Sequence, residues 1–327
     1  MERKRTRKWH FIGGMILVLV VAVVVAGLLN RGWIYDWYRG VSYAPSDEMI
    51  AIREKLNLTN EGEFLFNAVQ PELNEAKDFN KNCRQDESEI AVLGCYTAGN
   101  VYIYDIIAAE LDGIRELTTA HELLHAKWAR MGEDEKSELV ESLTRVFDEN
   151  QELLGSEIEQ YDDSEEQEEL YVRAGTEIKN LPDDLERHFS EIFNDQDEVV
   201  DFYESYIVVF REIKEHIKIL TDEMEALKEK IGAKTANYER QANQLEADIV
   251  SFNSCAEVAG CFGSESEFYR TRNQLLTKRD DLEDLNDEID RLIDEYNKKV
   301  EEYNADVTES NKLQDMVNSN RKVEKIN

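Results

Sequence analysis

The sequence predicts an α+β chain that is mostly helical, and three observations carry that expectation. Apolar residues recur every three or four positions over most of the length. One short stretch only, residues 90–106, is rich in β-formers. There are three prolines, Pro45, Pro71 and Pro182. None follows residue 182, so long uninterrupted helices are allowed there.

The N-terminus reads as a basic head, residues 1–10 (Arg3, Lys4, Arg5, Arg7, Lys8), before an uncharged run, "FIGGMILVLVVAVVVAGLL", residues 11–29. As a helix that run would be about 28 Å long, close to a ~30 Å hydrocarbon core. It is expected to be a transmembrane anchor with the N-terminus cytoplasmic, since basic residues precede it. The protein is then single-pass in the cell membrane, with its body extracytoplasmic. A cleavable signal peptide, cut before Gly27, is the alternative. Residues 30–44 follow as a juxtamembrane linker whose "WIYDWY" (33–38) has the composition of an interfacial belt.

Residues 45–204 form the expected globular domain. "PSDEMIAIREKL" opens with a Ser or Asp cap and continues with helical spacing. Pro71 begins a second such stretch. In "IAVLGCYTAGNVYIYDI" the "AGN" reads as a turn, and Val101 and Ile103 alternate with Tyr102 and Tyr104, which predicts a short hairpin or an edge strand. From Ala108 the spacing is helical again.

Residues 205–315 carry two heptad runs. The first includes Ile213, Ile217, Leu220, Met224, Leu227 and Ile231; the second includes Phe268, Leu275, Leu282, Leu285, Ile289 and Leu292. Between them "NSCAEVAGCFGSES" holds two glycines. Two matched runs around such a turn predict an antiparallel coiled-coil hairpin. A zipper between two chains is the rival pairing. His216 reads as a solvated residue of this arm, and residues 316–327 as a polar tail.

The four cysteines fall into two close pairs, Cys83 with Cys95 and Cys255 with Cys261. Neither spacing suits a structural zinc knuckle, so two local disulfides in an oxidising compartment are expected. Acidic residues number 71 and basic residues 38, for a formal net charge of −33. Such a surface repels phosphate, so nucleic acid is not a partner.

The chemistry is concentrated in "LTTAHELLHAKW", residues 117–128. His121, Glu122 and His125 match H-E-x-x-H, and on a helix positions i and i+4 share a face, so both imidazoles can reach one zinc ion. Glu122 is then placed to take a proton from a water at that ion as it attacks a carbonyl. A pair of surface histidines on an acidic helix is the bland alternative. A catalytic zinc needs a third protein ligand. The extended H-E-x-x-H-x-x-G-x-x-H pattern is absent, because Trp128 and Met131 stand at its Gly and His positions. The third ligand is therefore expected to be a carboxylate further along.

With those residues the chain resembles the gluzincin metallopeptidases, and "TTAHELLHAKW … ELYVRAGTEIKNLP … YESY" resembles uncharacterised bacterial membrane-anchored predicted peptidases. The resemblance implies a zincin-like domain with a glutamate ligand on a later helix. Here the candidate helix is "SEEQEELYVRAGTEIKNL", residues 164–181. Glu169 is the choice, because small residues one to two turns later let that helix pack closely under the site. Glu168 and Glu177 stay open as alternatives. The Asp that the thermolysin-like pattern carries four residues after its glutamate is Arg173 here. His188, Tyr203 and Tyr206 are weaker candidates as oxyanion donors, each with a structural role as the plainer reading. "NVYIYDI" is a candidate strand for holding an extended peptide, or simply an internal hairpin.

The functional expectation is zinc-dependent hydrolysis of a peptide or protein substrate, with His121, His125 and Glu169 on the metal and Glu122 as base. The alternative is a cell-envelope scaffold whose coiled coil binds an envelope protein and whose zinc is structural or inactive. Cleavage of peptidoglycan cross-links is a third option that no envelope-binding motif favours.

Overall fold

The computed structural model describes residues 19, 21–22, 24–83, 92–158 and 163–319. These residues are mostly helical with one three-stranded sheet, as the spacing predicts. The chain divides into two compact units. One combines residues up to Val209 with the segment from Asp315 onward, and the other is Phe210–Gln314.

The expectation of a single-pass membrane protein is corrected. Among the described residues no helix is long and apolar enough to cross a membrane. Residues 11–18, 20 and 23 of the apolar run lie outside the described residues, as does the basic head. The helix that follows, α1 (Arg31–Ser42), has 12 residues. It would span about 18 Å, well short of a bilayer core, and it carries Arg31, Asp36 and Arg39. Residues 31–42 are also not a linker. Trp33 stacks on Phe64 with ring centroids 6.1 Å apart. Arg39 Nε donates to the Ala68 carbonyl at 2.7 Å, and Asp36 pairs with Arg130 at 2.8 Å. These contacts dock α1 on the domain.

Two short helices follow, α2 (Asp47–Lys55) and α3 (Asn60–Val69). The first starts as expected, at a serine cap, and the second starts in the same way at a threonine. Ser46 accepts from the Met49 amide and Thr59 from the Gly62 amide, satisfying an orphan donor of each first turn. Strand β1 (Glu72–Asn74), helix α4 (Ala76–Asn82) and the hairpin β2 (Gly94–Thr97) and β3 (Asn100–Tyr104) complete the N-terminal part. Thr97 pairs with Asn100 across a two-residue turn. Ala98 and Gly99 both take positive φ, 50° and 83°, the backbone of a type I′ turn. The sheet order is β1-β3-β2, with β1 parallel and β2 antiparallel to β3. The edge-strand alternative for residues 100–104 is thus replaced. β3 is the central strand, with Val101 and Ile103 buried, and β1 and β2 are the edges.

Ala98 is a left-handed alanine, a conformation that Cβ disfavours by about 1 kcal/mol. Asn tolerates it better. Ala98→Asn is therefore expected to raise stability by up to about 1 kcal/mol, measured by denaturant midpoint; a lower midpoint would contradict the turn.

After a 3₁₀ turn at Ala109–Leu111 come α5 (Ile114–Trp128), α6 (Glu133–Glu149), α7 (Gln151–Ile158), α8 (Asp163–Glu177) and α9 (Asp183–Phe189). The core is built from Met49, Phe66, Ile103, Leu123, Leu124, Tyr171, Phe189 and Phe193, all essentially inaccessible. The start of α10 (Gln196–Ala256) joins it through Val199 and Val200.

The second unit is built from most of α10 and of α11 (Glu265–Val317). His216 bonds Asp306 at 2.7 Å, Lys299 pairs with Glu223 at 3.0 Å, and Lys234–Glu288 and Lys278–Asp248 each meet at 2.6 Å. As one partner advances along α10 the other retreats along α11, so the arms run antiparallel within one chain. Leu220, Leu227, Leu245, Leu282 and Ile289 are buried along the seam. Both expected disulfides are present, Cys83–Cys95 and Cys255–Cys261. The second closes the tip, where Phe252, Phe262 and Phe268 pack with centroids 5.1–5.4 Å apart.

Candidate metal centre

Helix α5 carries H-E-x-x-H with two differently employed faces. Leu123, Leu124, Ala126 and Trp128 enter the core. His121, Glu122 and His125 face α8 and the edge strand β2. The Nε2 atoms of His121 and His125 lie 3.3 Å apart. From α8, Glu169 Oε1 stands 3.9 Å from His121 Nε2 and Glu169 Oε2 stands 3.6 Å from His125 Nε2. These three side chains are a group that could hold a metal ion.

The donor set can be tested against zinc. Ligand atoms on a tetrahedral ion with bonds of about 2.0–2.1 Å stand roughly 3.3–3.4 Å apart. The two ring nitrogens are at that separation, and the carboxylate is a few tenths of an ångström beyond it. Two imidazoles and one carboxylate are also a donor set of catalytic zinc sites. The residues fit the ion.

The other two glutamates have different employment. Glu168 Oε1 lies 2.7 Å from His125 Nδ1. A carboxylate there fixes the ring so that Nδ1 carries the proton and the Nε2 lone pair points at the site. Glu177 is taken by Arg173, which donates to both its oxygens at 2.9 and 2.8 Å. The Arg173 side chain is buried on α8, and its charge reaches His121. Burial, together with the charges of His125 and Arg173, holds the His121 imidazole well below its usual range. At His125 burial pulls the same way, but the Glu168 hydrogen bond and the charges of Glu122 and Glu169 outweigh it and leave the ring at about 8.

Glu122 is only 5% exposed. Burial pushes its carboxyl up to about 7, against the pull of His125 and of a hydrogen bond from the Tyr96 backbone. That bond comes from β2, which crosses very close to the helix. A Cβ on Gly94 would sit 2.6 Å from Thr118 Cγ2 and 2.7 Å from Glu122 Oε1. Only glycine permits this approach. The disulfide to Cys83 anchors the same strand at Cys95, between those two residues. Sequence reasoning found neither the Tyr96 contact nor the role of Gly94. Both depend on which residue of a strand meets a helix distant in sequence, and no local pattern encodes that.

The weaker candidates fall elsewhere. His188 Nε2 lies 3.0 Å from the Tyr171 hydroxyl and belongs to a different group of side chains. Tyr203 is buried and Tyr206 half-buried on α10, and neither is a member of the triad. His216 is exposed and bonded to Asp306.

Removing each glutamate should separate their roles. Glu169→Ala is expected to abolish tight zinc binding. Glu168→Ala should weaken it by about 10–100-fold, the usual cost of losing an orienting partner. Glu177→Ala should leave the ligand set intact. Competition with a chromogenic chelator measures all three, and equal affinity for Glu168→Ala and the unaltered chain would remove Glu168 from the site.

No family model, curated protein or solved structure matches the chain.

Proposed function

We propose that the protein is a zinc-dependent peptidase, with His121, His125 and Glu169 as metal ligands and Glu122 as general base. The observation that carries this reading is the triad itself, three donor groups from two helices within 4.8 Å of one another, with the two imidazole nitrogens 3.3 Å apart, beside a buried carboxylate. Bound there, zinc would acidify a water and polarise a carbonyl oxygen. The remaining work falls to the chain's own residues. Glu122 is buried beside the triad, so it is placed to accept a proton from the attacking water and return it to the leaving amine. The Tyr96 amide holds that carboxylate in place, and Glu168 holds His125. Among the described residues β2 pairs only with β3. Its outer edge is where an extended peptide can add as a further strand beside the site. The two disulfides suit an oxidising compartment.

A scaffold with a structural zinc has no use for a base. The buried, strand-held Glu122 therefore favours catalysis over the scaffold reading. The test is metal analysis of the purified chain together with cleavage of a quenched generic peptide library. His121→Ala and His125→Ala should each lose zinc from the triad and lose cleavage, because two ligands hold the ion poorly. Cleavage that survives both changes would reject the proposal.

A further inference from the structure

A second set of ligating side chains is assembled on other elements. Glu135 lies in the first turn of α6, His188 near the end of α9, and Glu191 three residues later. One nitrogen of His188 and one carboxylate oxygen from each glutamate all lie within 4.8 Å of one another. His188 is 8% exposed, whereas Glu135 and Glu191 reach solvent. The buried imidazole is held by the Tyr171 hydroxyl, 3.0 Å from Nε2. It makes no other side-chain hydrogen bond among the described residues. Tyr171 is fixed in turn by ring contacts to Trp128 and Phe189, with centroids 5.0 and 5.1 Å apart.

The charges around this group do not balance. Lys127 Nζ lies 3.0 Å from Glu61 Oε1 and 3.0 Å from Glu191 Oε2. Glu135 has no hydrogen bond or ion pair among the described residues. Two carboxylates, Glu61 and Glu191, thus share the Lys127 ammonium, and Glu135 adds a third negative charge to the group. Lys127 engages one oxygen of Glu191 and leaves the other for a cation. Exposed carboxylates alone would attract any counter-ion. A buried, pre-oriented imidazole between them selects for a borderline transition ion over calcium or magnesium, which prefer all-oxygen shells.

We propose that Glu135, His188 and Glu191 form a second divalent-cation site, of the zinc class, distinct in residues from the triad. The ion would tie the start of α6 to the end of α9. Tyr171, two residues along α8 from Glu169, would serve as the hydrogen-bonding partner that orients the histidine. Because both carboxylates must be immobilised from solvent, the site binds more weakly than the triad and fills after it.

The test is equilibrium dialysis of the full chain against zinc, with excess magnesium to occupy the general acidic surface, followed by metal analysis. The unaltered chain should hold two equivalents. The His121→Ala/His125→Ala chain should hold one, the Glu135→Gln/Glu191→Gln chain one, and the four-fold variant none. Zinc should raise the Tm of the His121→Ala/His125→Ala chain by several degrees and leave the four-fold variant unmoved. Both glutamates are exposed, so their replacement does not threaten folding. Equal zinc uptake by the His121→Ala/His125→Ala chain with and without the two glutamine changes would overturn the site. If the unaltered chain holds only one equivalent, unchanged by His121→Ala/His125→Ala and lost in Glu135→Gln/Glu191→Gln, the second site would stand and the peptidase reading would fall.

Discussion

Glu122→Gln is expected to lower kcat for peptide cleavage by about two to four orders of magnitude, the usual contribution of a positioned proton-transfer group, while zinc remains at His121, His125 and Glu169. Gln is nearly the same shape and can still accept the hydrogen bond that the Tyr96 backbone gives to Glu122. It cannot take a proton. It also removes a buried carboxyl, so the fold should be at least as stable as before. The contrast between retained metal and lost turnover is what separates a base from a ligand or a structural residue. Single-turnover kinetics with parallel metal analysis measures it. Unchanged turnover, with zinc still bound, would mean that Glu122 does not perform the proton transfer.

Gly175→Val is expected to damage fold and site together. Gly175 lies on α8 where that helix crosses α5. A Cβ there would stand 2.5 Å from Leu124 Cδ1 and 2.6 Å from Phe189 Cε1. Both neighbours are fully buried and have no free volume to retreat into. Valine must push α8 off α5, at a cost of about 3 kcal/mol, the upper part of the usual overpacking range. For a unit of this size that is a fall in Tm of roughly 6–12 °C. The same displacement separates His121 and His125 on α5 from Glu168 and Glu169 on α8. Zinc affinity should therefore fall as well, although Gly175 touches none of the ligands. Thermal unfolding and chelator competition test the two halves independently. A variant with wild-type zinc affinity and lowered Tm would show that the helix crossing and the triad are not mechanically linked.

These two positions differ in how far the sequence alone reveals them. Glu122 was legible because H-E-x-x-H is local, and a helix fixes the relation of positions four apart without help from the rest of the chain. The same locality made the cap at Ser46, the turn at Ala98–Gly99 and the pairing of Cys83 with Cys95 and of Cys255 with Cys261 readable. The two long helices were readable from heptads that repeat too often to be accidental. Gly175 was visible only as one of several small residues after Glu169.

The apolar run at residues 11–29 shows the opposite case. Hydropathy suggested an anchor and made the aromatics after it look interfacial. In the fold Trp33 stacks on Phe64 and Arg39 reaches the Ala68 carbonyl, while Tyr35, Trp37 and Tyr38 stay exposed, a mixture of roles that composition does not resolve.

The sequence by itself determined the helical content, the disulfide partners, the long hairpin and the three residues of the H-E-x-x-H motif, because each is set by neighbours along the chain. Tertiary structure alone decided what each of three acids on α8 touches. Glu168, Glu169 and Glu177 are chemically alike, and their different partners follow from how α8 packs on α5. That packing turns Glu169 towards both imidazoles and Glu168 towards one ring edge, and it leaves Glu177 to Arg173. Tertiary structure likewise decided that β2, rather than β3, is the edge beside Glu122, because β3 pairs with β1, a strand distant in sequence, as well as with β2.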